Sequence, residues 1–481
     1  MRYKHALFLN PYIEHSATSA MMLFPPTGLE YVATGAKDCV DKVTLLDLRY
    51  EKELSQLDNL LGFISKEVDI ICVGIGWKRQ FKEICSLLNR MPKAIPLVVG
   101  GYTATERVEE LFENCQNIDI VVRGEGEETI KEILKGATLK NISGISYRQN
   151  GGIVNNENRP LPEVDTLAWP DRTLRHNKYL LTINGTNVAN LTFDTVLSAR
   201  GCPYKCKFCT FTLNPLGQKR SYSARSVESV IDEIEATPAG IILFSDEDFS
   251  VNVKRAEKIC DLIIDRKIKK RFIVQTRIEI ARSPALLEKM VKAGFKTLLI
   301  GIESPHDRIL KQLNKGFDSA DVRKYFKTLK KYPLYYHGYF IYGNITETEE
   351  EMLYIAKFAN EIGLDSITFL KLRIEKFSPL RELVEKTPGY HIDKNDVLYS
   401  DTYSTADLKK IARRIRFSFY TPSRFLKMLW KCFFVVKFFT FREIISFLAF
   451  MPLVLKSLLA REIQKDRLWD TIKRSFIKNL K

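Results

Sequence analysis

The chain has little that would staple or anchor it. Outside one loop its cysteines show no paired spacing, because Cys39, Cys72, Cys85, Cys115, Cys260 and Cys432 are scattered. A disulfide framework is therefore not expected, and a reducing, cytoplasmic setting is. No apolar segment with a small-residue cleavage site follows Met1-Arg2-Tyr3-Lys4-His5, so no secretory signal is expected. The two most apolar stretches lie after residue 424 and are both broken, the first by Lys431, Lys437, Arg442 and Glu443 and the second by Pro452. Neither offers the ~20 uninterrupted apolar residues that a spanning helix needs. No nucleic-acid-binding module accompanies the positive charge, which argues against nucleic acid as a partner.

What is present suffices for a large core. The 481 residues are 45% hydrophobic and 27% charged, as in ordinary globular chains, and their number suggests two or three domains. The net charge of +16 is uneven: residues 401–481 hold 18 Lys/Arg against 6 Asp/Glu, leaving only +4 for the other 400. Basic, aromatic-rich helices of that kind suit either a lid over an open barrel or contact with a membrane surface.

The most informative run is Ala199-Arg200-Gly201-Cys202-Pro203-Tyr204-Lys205-Cys206-Lys207-Phe208-Cys209. Three thiolates in the spacing C-x3-C-x2-C, on a loop made polar by Lys205 and Lys207, can ligate one metal centre. Soft sulfur ligands select an iron–sulfur cluster, zinc or copper(I). A closed structural zinc site takes four ligands, and no fourth cysteine lies nearby, so one position stays open. An isolated triad leaves both a cluster and zinc in contention.

With Phe208 before the last cysteine, the run resembles the radical S-adenosylmethionine (SAM) superfamily. The resemblance implies a [4Fe-4S] cluster on Cys202, Cys206 and Cys209 whose remaining iron is chelated by SAM. It also implies reductive cleavage to a 5'-deoxyadenosyl radical that abstracts hydrogen from a substrate.

The rest of the chain agrees in outline. Short β-branched runs at 5–9, 42–47, 69–74, 97–101 and 118–122 alternate with helical patterns such as 81–89 and 104–114. They predict a doubly wound parallel sheet over residues 1–138, with a ligand beyond the carboxyl ends of its strands. Glycines stand at those ends: Gly74 and Gly76, Gly100 and Gly101, then Gly124-Glu125-Gly126-Glu127. In order with Pro25-Pro26-Thr27-Gly28-Leu29-Glu30-Tyr31, they resemble the cobalamin-binding-type domain of class B radical SAM enzymes. That likeness implies cobalamin held around Gly74, Gly76, Gly100, Gly101, Gly124 and Glu125. The D-x-H-x-x-G motif is absent; Asn10-Pro11-Tyr12 follows the first strand instead.

Residues 139–190 read as a connector with turn signals at Asn150-Gly151-Gly152 and no legible chemistry. Over 191–400, strands at 195–198, 241–244, 272–275, 297–300, 339–342 and 366–370 alternate with helices. They resemble the partial (β/α)6 barrel of the family, whose sites gather at the carboxyl ends of the strands. The fold class expected is thus α/β: a Rossmann-like domain, a partial barrel and a helical C-terminal region over 401–481.

At the strand ends the resemblance points to SAM contacts from Phe208, Asp246, Glu247, Arg277, Glu303 and Ser304. Two alternatives stay open: an acidic turn capping the next helix at Asp246-Glu247, and an ion pair with Glu279 for Arg277. The turn Gly343-Asn344-Ile345-Thr346-Glu347-Thr348 lacks the proline and second glycine usual in relatives, and Thr348 with Glu349 and Glu350 reads as a helix start.

The reading that follows is radical chemistry on an organic substrate, with cobalamin-dependent C-methylation first. Radical ring closure or rearrangement of a hydrophobic tetrapyrrole or lipid is the alternative, and a non-catalytic metal-binding redox sensor is another. An external flavodoxin- or ferredoxin-type electron donor is implied. Membrane association would come through the C-terminal region.

Overall fold

The computed structural model describes residues 2–12, 24–183, 186–209, 214–450 and 452, without the side chains of 182–189. The first sheet holds β1 (His5–Asn10), β2 (Lys42–Asp47), β3 (Ile70–Gly74), β4 (Leu97–Gly100) and β5 (Ile120–Val122), all parallel. Its edge is completed by β6 (Ile145–Gln149) and β7 (Gly152–Asn155), which run antiparallel, giving the order β2-β1-β3-β4-β5-β6-β7. β1 is buried along its whole length, as a strand covered by helices on both faces must be. Chain order reverses beside β1, so a crevice opens beyond the carboxyl ends of β1 and β3.

The hairpin β6–β7 corrects the reading of 139–190 as connector alone. Asn150 and Gly151, with φ of 50° and 79°, form its two-residue turn, a conformation that Asn and Gly tolerate.

The second sheet begins with an antiparallel pair, β8 (Leu180–Ile183) and β9 (Thr186–Val196). The short pair β10 (Ala199–Arg200) and β11 (Ser223–Ala224) then brackets the cysteine loop. Five parallel strands follow: β12 (Ile241–Phe244), β13 (Arg271–Thr276), β14 (Phe295–Glu303), β15 (Tyr335–Tyr342) and β16 (Ser366–Lys371). With β9 they make the six parallel strands of an open barrel. Alternation fixes the faces. Phe244, Phe272, Phe295, Leu298, Ile300, Tyr336 and Phe340 pack outward beneath the helices. Phe193, Leu243, Ile273 and Leu299 point to the concave side.

Two features hold the sheets together. Arg175 reaches Glu30 by Nε and Nη2 at 2.6 and 2.7 Å, and its Nη1 lies 2.7 Å from Asp194. Arg172 joins Asp194 at 2.9 Å and Glu233 at 2.8 Å, while Arg225 also pairs with Glu233. All six groups are nearly or fully buried, so three cations and three anions neutralise each other at the seam. On the opposite flank Lys78 pairs with Glu106 at 2.9 Å, Glu375 at 3.1 Å and Asp396.

The described part of the C-terminal region packs on the barrel's helices and its base. Helix Thr405–Phe419 buries Leu408, Ile411, Ile415 and Phe419 against the barrel helices. Phe438 and Phe439 pack from below on Leu191, Phe193, Ile241, Leu243 and Ile273, closing the end where the strands begin. The expected apolar stretch past 452 lies outside the described residues.

Candidate active site between the two sheets

The cysteine loop is irregular backbone fastened at both flanks. Gly201, at φ 87°, is forced: a Cβ there would meet Arg220 Cγ and Ser221 O at 2.7 Å. The Lys207 amide donates to Leu313 O at 3.0 Å, Asn314 Nδ2 to Lys205 O at 2.7 Å, and Ser378 Oγ to Lys207 O at 2.8 Å. Cys202, Cys206 and Cys209 are all half-buried, and the Cys209 amide bonds back to Cys206 O at 3.2 Å. Burial first, then the negative charge of Asp248 and Cys206, pushes the Cys202 thiol upward.

Arg277 closes the loop from the end of β13. Its Nη1 donates to Cys206 Sγ at 3.6 Å, its guanidinium lies 3.8 Å from the Tyr204 ring centre, and Nη2 pairs with Glu279 at 2.7 Å. The Glu279 pairing is therefore present, but on a buried side chain that touches a cysteine. Donors to a thiolate sulfur tune the potential of the centre it binds.

The other expected SAM contacts separate into two groups. Glu303, at the end of β14, adopts φ 72°, beside a bulge in the pairing with β15. Its carboxylate folds back over Gly301, where a Cβ would lie 2.7 Å from Oε1, and receives Lys315 Nζ at 3.2 Å. Lys315 in turn sits 5.7 Å from the Phe208 ring centre, linking β14 to the cysteine loop. Glu247 Oε2 accepts the Gly201 amide at 2.9 Å, and burial raises this carboxyl to about 7.

Asp246 and Ser304 are fully enclosed. Both Asp246 oxygens are used by Ser198, from its amide at 2.7 Å and its hydroxyl at 2.5 Å. Ser304 Oγ accepts the His306 amide at 3.2 Å. Their geometry is that of loop braces.

A cavity of about 680 Å³ opens beyond the strand ends of the first sheet. All six residues named for cobalamin line it: Gly74, Gly76, Gly100, Gly101, Gly124 and Glu125. Gly28 and Gly76 have nothing within 4 Å of an added Cβ, so a side chain there would fill the cavity. Gly101 is different; its φ of 103° and a Cβ contact of 2.8 Å with Ile75 O make it a backbone necessity. Phe8, Pro25, Leu29, Val98 and Val122 supply apolar walls, and no histidine is among the lining residues described. Glu127 Oε2 is buried on this wall without a partner. A broad, mostly apolar slot with an orphan acceptor on its wall fits a corrin.

Arg200 joins this cavity to the cysteine loop, and sequence reasoning missed it although it stands two residues before Cys202. It pairs with Glu125 at 2.5 Å and Glu127 at 2.7 Å, and Arg220 holds Glu125 from the other side at 2.9 Å. Glu125 is thus a wall strut, already paired. A second cavity of about 190 Å³ is lined by Cys206, Cys209, Phe208, Tyr204 and the loop from Glu375 to Pro379, and Tyr102 lines both cavities.

Within the barrel, β15 resolves its crowd of aromatics. Tyr336 and Phe340 are buried outward, whereas His337 and Tyr339 face the concave side with rings 4.9 Å apart. His337 bonds Ser366 Oγ at 2.7 Å and Thr368 Oγ1 at 3.1 Å, and desolvation lowers it to about 4, so it is neutral.

Comparison with known proteins agrees with this geometry. Residues 196–359 match the Radical SAM superfamily and residues 17–134 the B12 binding domain. An uncharacterized methyltransferase of Pyrococcus horikoshii is 31% identical over 358 residues, covering 72% of this chain and 75% of that one. The chain belongs to the radical SAM superfamily, in the branch that carries a B12-binding domain.

This radical SAM enzyme is also similar, at 27% identity, to the anaerobic magnesium-protoporphyrin IX monomethyl ester cyclase of Cereibacter sphaeroides, over 53% of its own length and 43% of the cyclase. The structure of the radical SAM methyltransferase TsrM from Kitasatospora setae, with cobalamin and a [4Fe-4S] cluster bound, shares its fold at a TM-score of 0.69. That alignment has 17% identity and covers 87% and 91% of the two chains.

Proposed function

We propose that this enzyme methylates carbon in an organic, apolar substrate, using a [4Fe-4S] cluster, SAM and cobalamin. The observation that carries the reading is Arg200, which ties the cysteine loop to the Glu125–Glu127 wall of the cavity. Ligand sites for cluster and corrin thereby share one wall. When bound, cluster and SAM would supply a hydrogen-abstracting radical and cobalamin a transferable methyl group.

The chain's own residues bind, orient and exclude water. Cys202, Cys206 and Cys209 would hold the [4Fe-4S] cluster; Arg277 steadies Cys206; Phe208, Glu247 and Glu303 are the groups assigned to SAM, with Asp246 and Ser304 bracing the loops behind them. Gly28 and Gly76 leave room for the corrin. His337, neutral and fixed by two hydroxyls, and Tyr339 face the substrate space on the concave side. The electrons would come from an external one-electron donor of flavodoxin or ferredoxin type, and the C-terminal region contacts a membrane surface.

The cyclase relative supports a second reading, radical ring closure on the same scaffold. Reconstitution with hydroxocobalamin tests the first. About one corrin should bind per chain, and Gly76→Trp should lose the corrin while keeping the cluster iron. Corrin binding unchanged by Gly76→Trp, or absent from the wild-type protein, overturns the assignment of this cavity.

A further inference from the structure

Helix Pro422–Trp430 runs into the π-helical turn Lys431–Val435, and a second helix occupies 441–450. Their inner faces are accounted for. Leu429, Phe433, Phe439, Ile444 and Phe447 pack together. Arg271 pairs with Glu443 at 2.8 Å, Lys296 Nζ donates to Val436 O at 3.0 Å, and Lys431 pairs with Asp365 at 2.6 Å.

Their outer faces are equally apolar and bare. Leu426, Trp430 and Phe434, four residues apart, are 67%, 62% and 55% exposed. Phe441, Ile445 and Leu448 are 77%, 54% and 54% exposed. Ten of the sixteen large apolar side chains exposed among the described residues fall between Phe417 and Phe450. Apolar stripes of this size left in contact with water mark an interaction surface.

The charges on this face select what covers it. Lys427, Lys437 and Arg442 are exposed beside the apolar stripes, and the one acidic residue of 421–450, Glu443, is already paired with Arg271. Lysine is depleted in the cores of protein interfaces, whereas membrane-surface helices set Lys and Arg beside Trp, Phe and Leu. No helix among the described residues is long and apolar enough to cross a membrane.

We propose that residues 422–450 form a docking face for an anionic lipid bilayer, with Leu426, Trp430, Phe434, Phe441, Ile445 and Leu448 entering the headgroup boundary. The proposal specifies the membrane contact named in the functional reading, and it does not depend on the reaction. Its anchors, Arg271, Lys296 and Asp365, stand where β13, β14 and β16 begin, at the end opposite the cysteine loop. Docking there leaves the loop facing away from the lipid, open to an electron donor.

Sedimentation of the full chain with vesicles tests it. Binding to phosphatidylcholine vesicles containing phosphatidylglycerol should exceed binding to phosphatidylcholine alone by about tenfold, and should weaken between about 0.1 and 0.5 M salt. Because their side chains are exposed, Trp430→Ser with Phe441→Ser should cut binding about tenfold in a protein of unchanged cluster content. Lys427→Glu with Arg442→Glu should remove the preference for anionic lipid. No vesicle binding by the wild-type chain overturns the proposal, whether residues 453–481 or a second copy cover the face. So does a lipid-free dimer that Trp430→Ser with Phe441→Ser dissociates.

Discussion

Single residues set two properties of the site region. Arg277 shows how a side chain reads differently alone and in place: its neighbour Glu279 was visible in the sequence, its contact with Cys206 was not. The Gly343–Thr348 turn is the other case. Thr346, at φ 62°, stands in the left-handed conformation that a glycine would favour, held by Arg308 at 2.5 Å and Tyr390 at 2.6 Å. Within that turn Glu347 is buried, accepts two bonds from Asn344, and is raised to about 7 by desolvation from an ordinary 4.5. The folded state therefore binds this proton more tightly than the unfolded chain does. Its contribution is fully present below 4.5 and is lost as pH rises through about 7, at up to about 1.4 kcal/mol per pH unit. Denaturant unfolding at several pH values should show that decline, and Glu347→Gln should flatten it. An unchanged slope in the variant would assign the effect elsewhere.

At the scale of elements, periodicity was enough to place nearly every parallel strand. β2 and β12 match the residues expected from sequence, because β-branched runs between turn signals leave few alternatives. β14 runs on past the expected Ile300 to Glu303 and β15 starts earlier, at Tyr335, since the two strands pair from Thr297 with Tyr335 to Glu303 with Phe340. The hairpin β6–β7 escaped because its outer strand is largely exposed and carries little hydrophobic signal. The C-terminal helices were expected as a lid or a membrane contact; among the described residues their inner face plugs the base of the barrel. That plug rests on Phe433, which is buried among Phe434, Phe439 and Phe447. Phe433→Ala should cost about 3 kcal/mol. Hydrogen exchange should then quicken through residues 422–450 and stay unchanged in the cysteine loop. Loosening of that loop as well would mean the plug supports the site directly.

Across the whole molecule, the seam between the sheets decides whether cluster loop and cavity stay in register. None of Arg172, Arg175, Glu30, Asp194 or Glu233 was legible as a clamp, since ion pairs between residues up to 145 apart leave no local pattern. The cysteine motif and the ordered glycines were legible because metal ligation and close backbone approach each demand particular residues at fixed spacing. Arg175→Met removes the bidentate partner of buried Glu30, and should cost about 3–5 kcal/mol. Calorimetry should then resolve two transitions where the wild-type protein shows one; a single transition at the wild-type temperature would show that the clamp does not couple the sheets.

The most direct test is electron paramagnetic resonance of the anaerobically reconstituted, dithionite-reduced protein with and without SAM. A [4Fe-4S] signal perturbed by SAM, lost in Cys206→Ala and accompanied by 5'-deoxyadenosine in the wild type, is the expected result. Stoichiometric zinc, or a cluster whose signal ignores SAM and yields no cleavage, would contradict it.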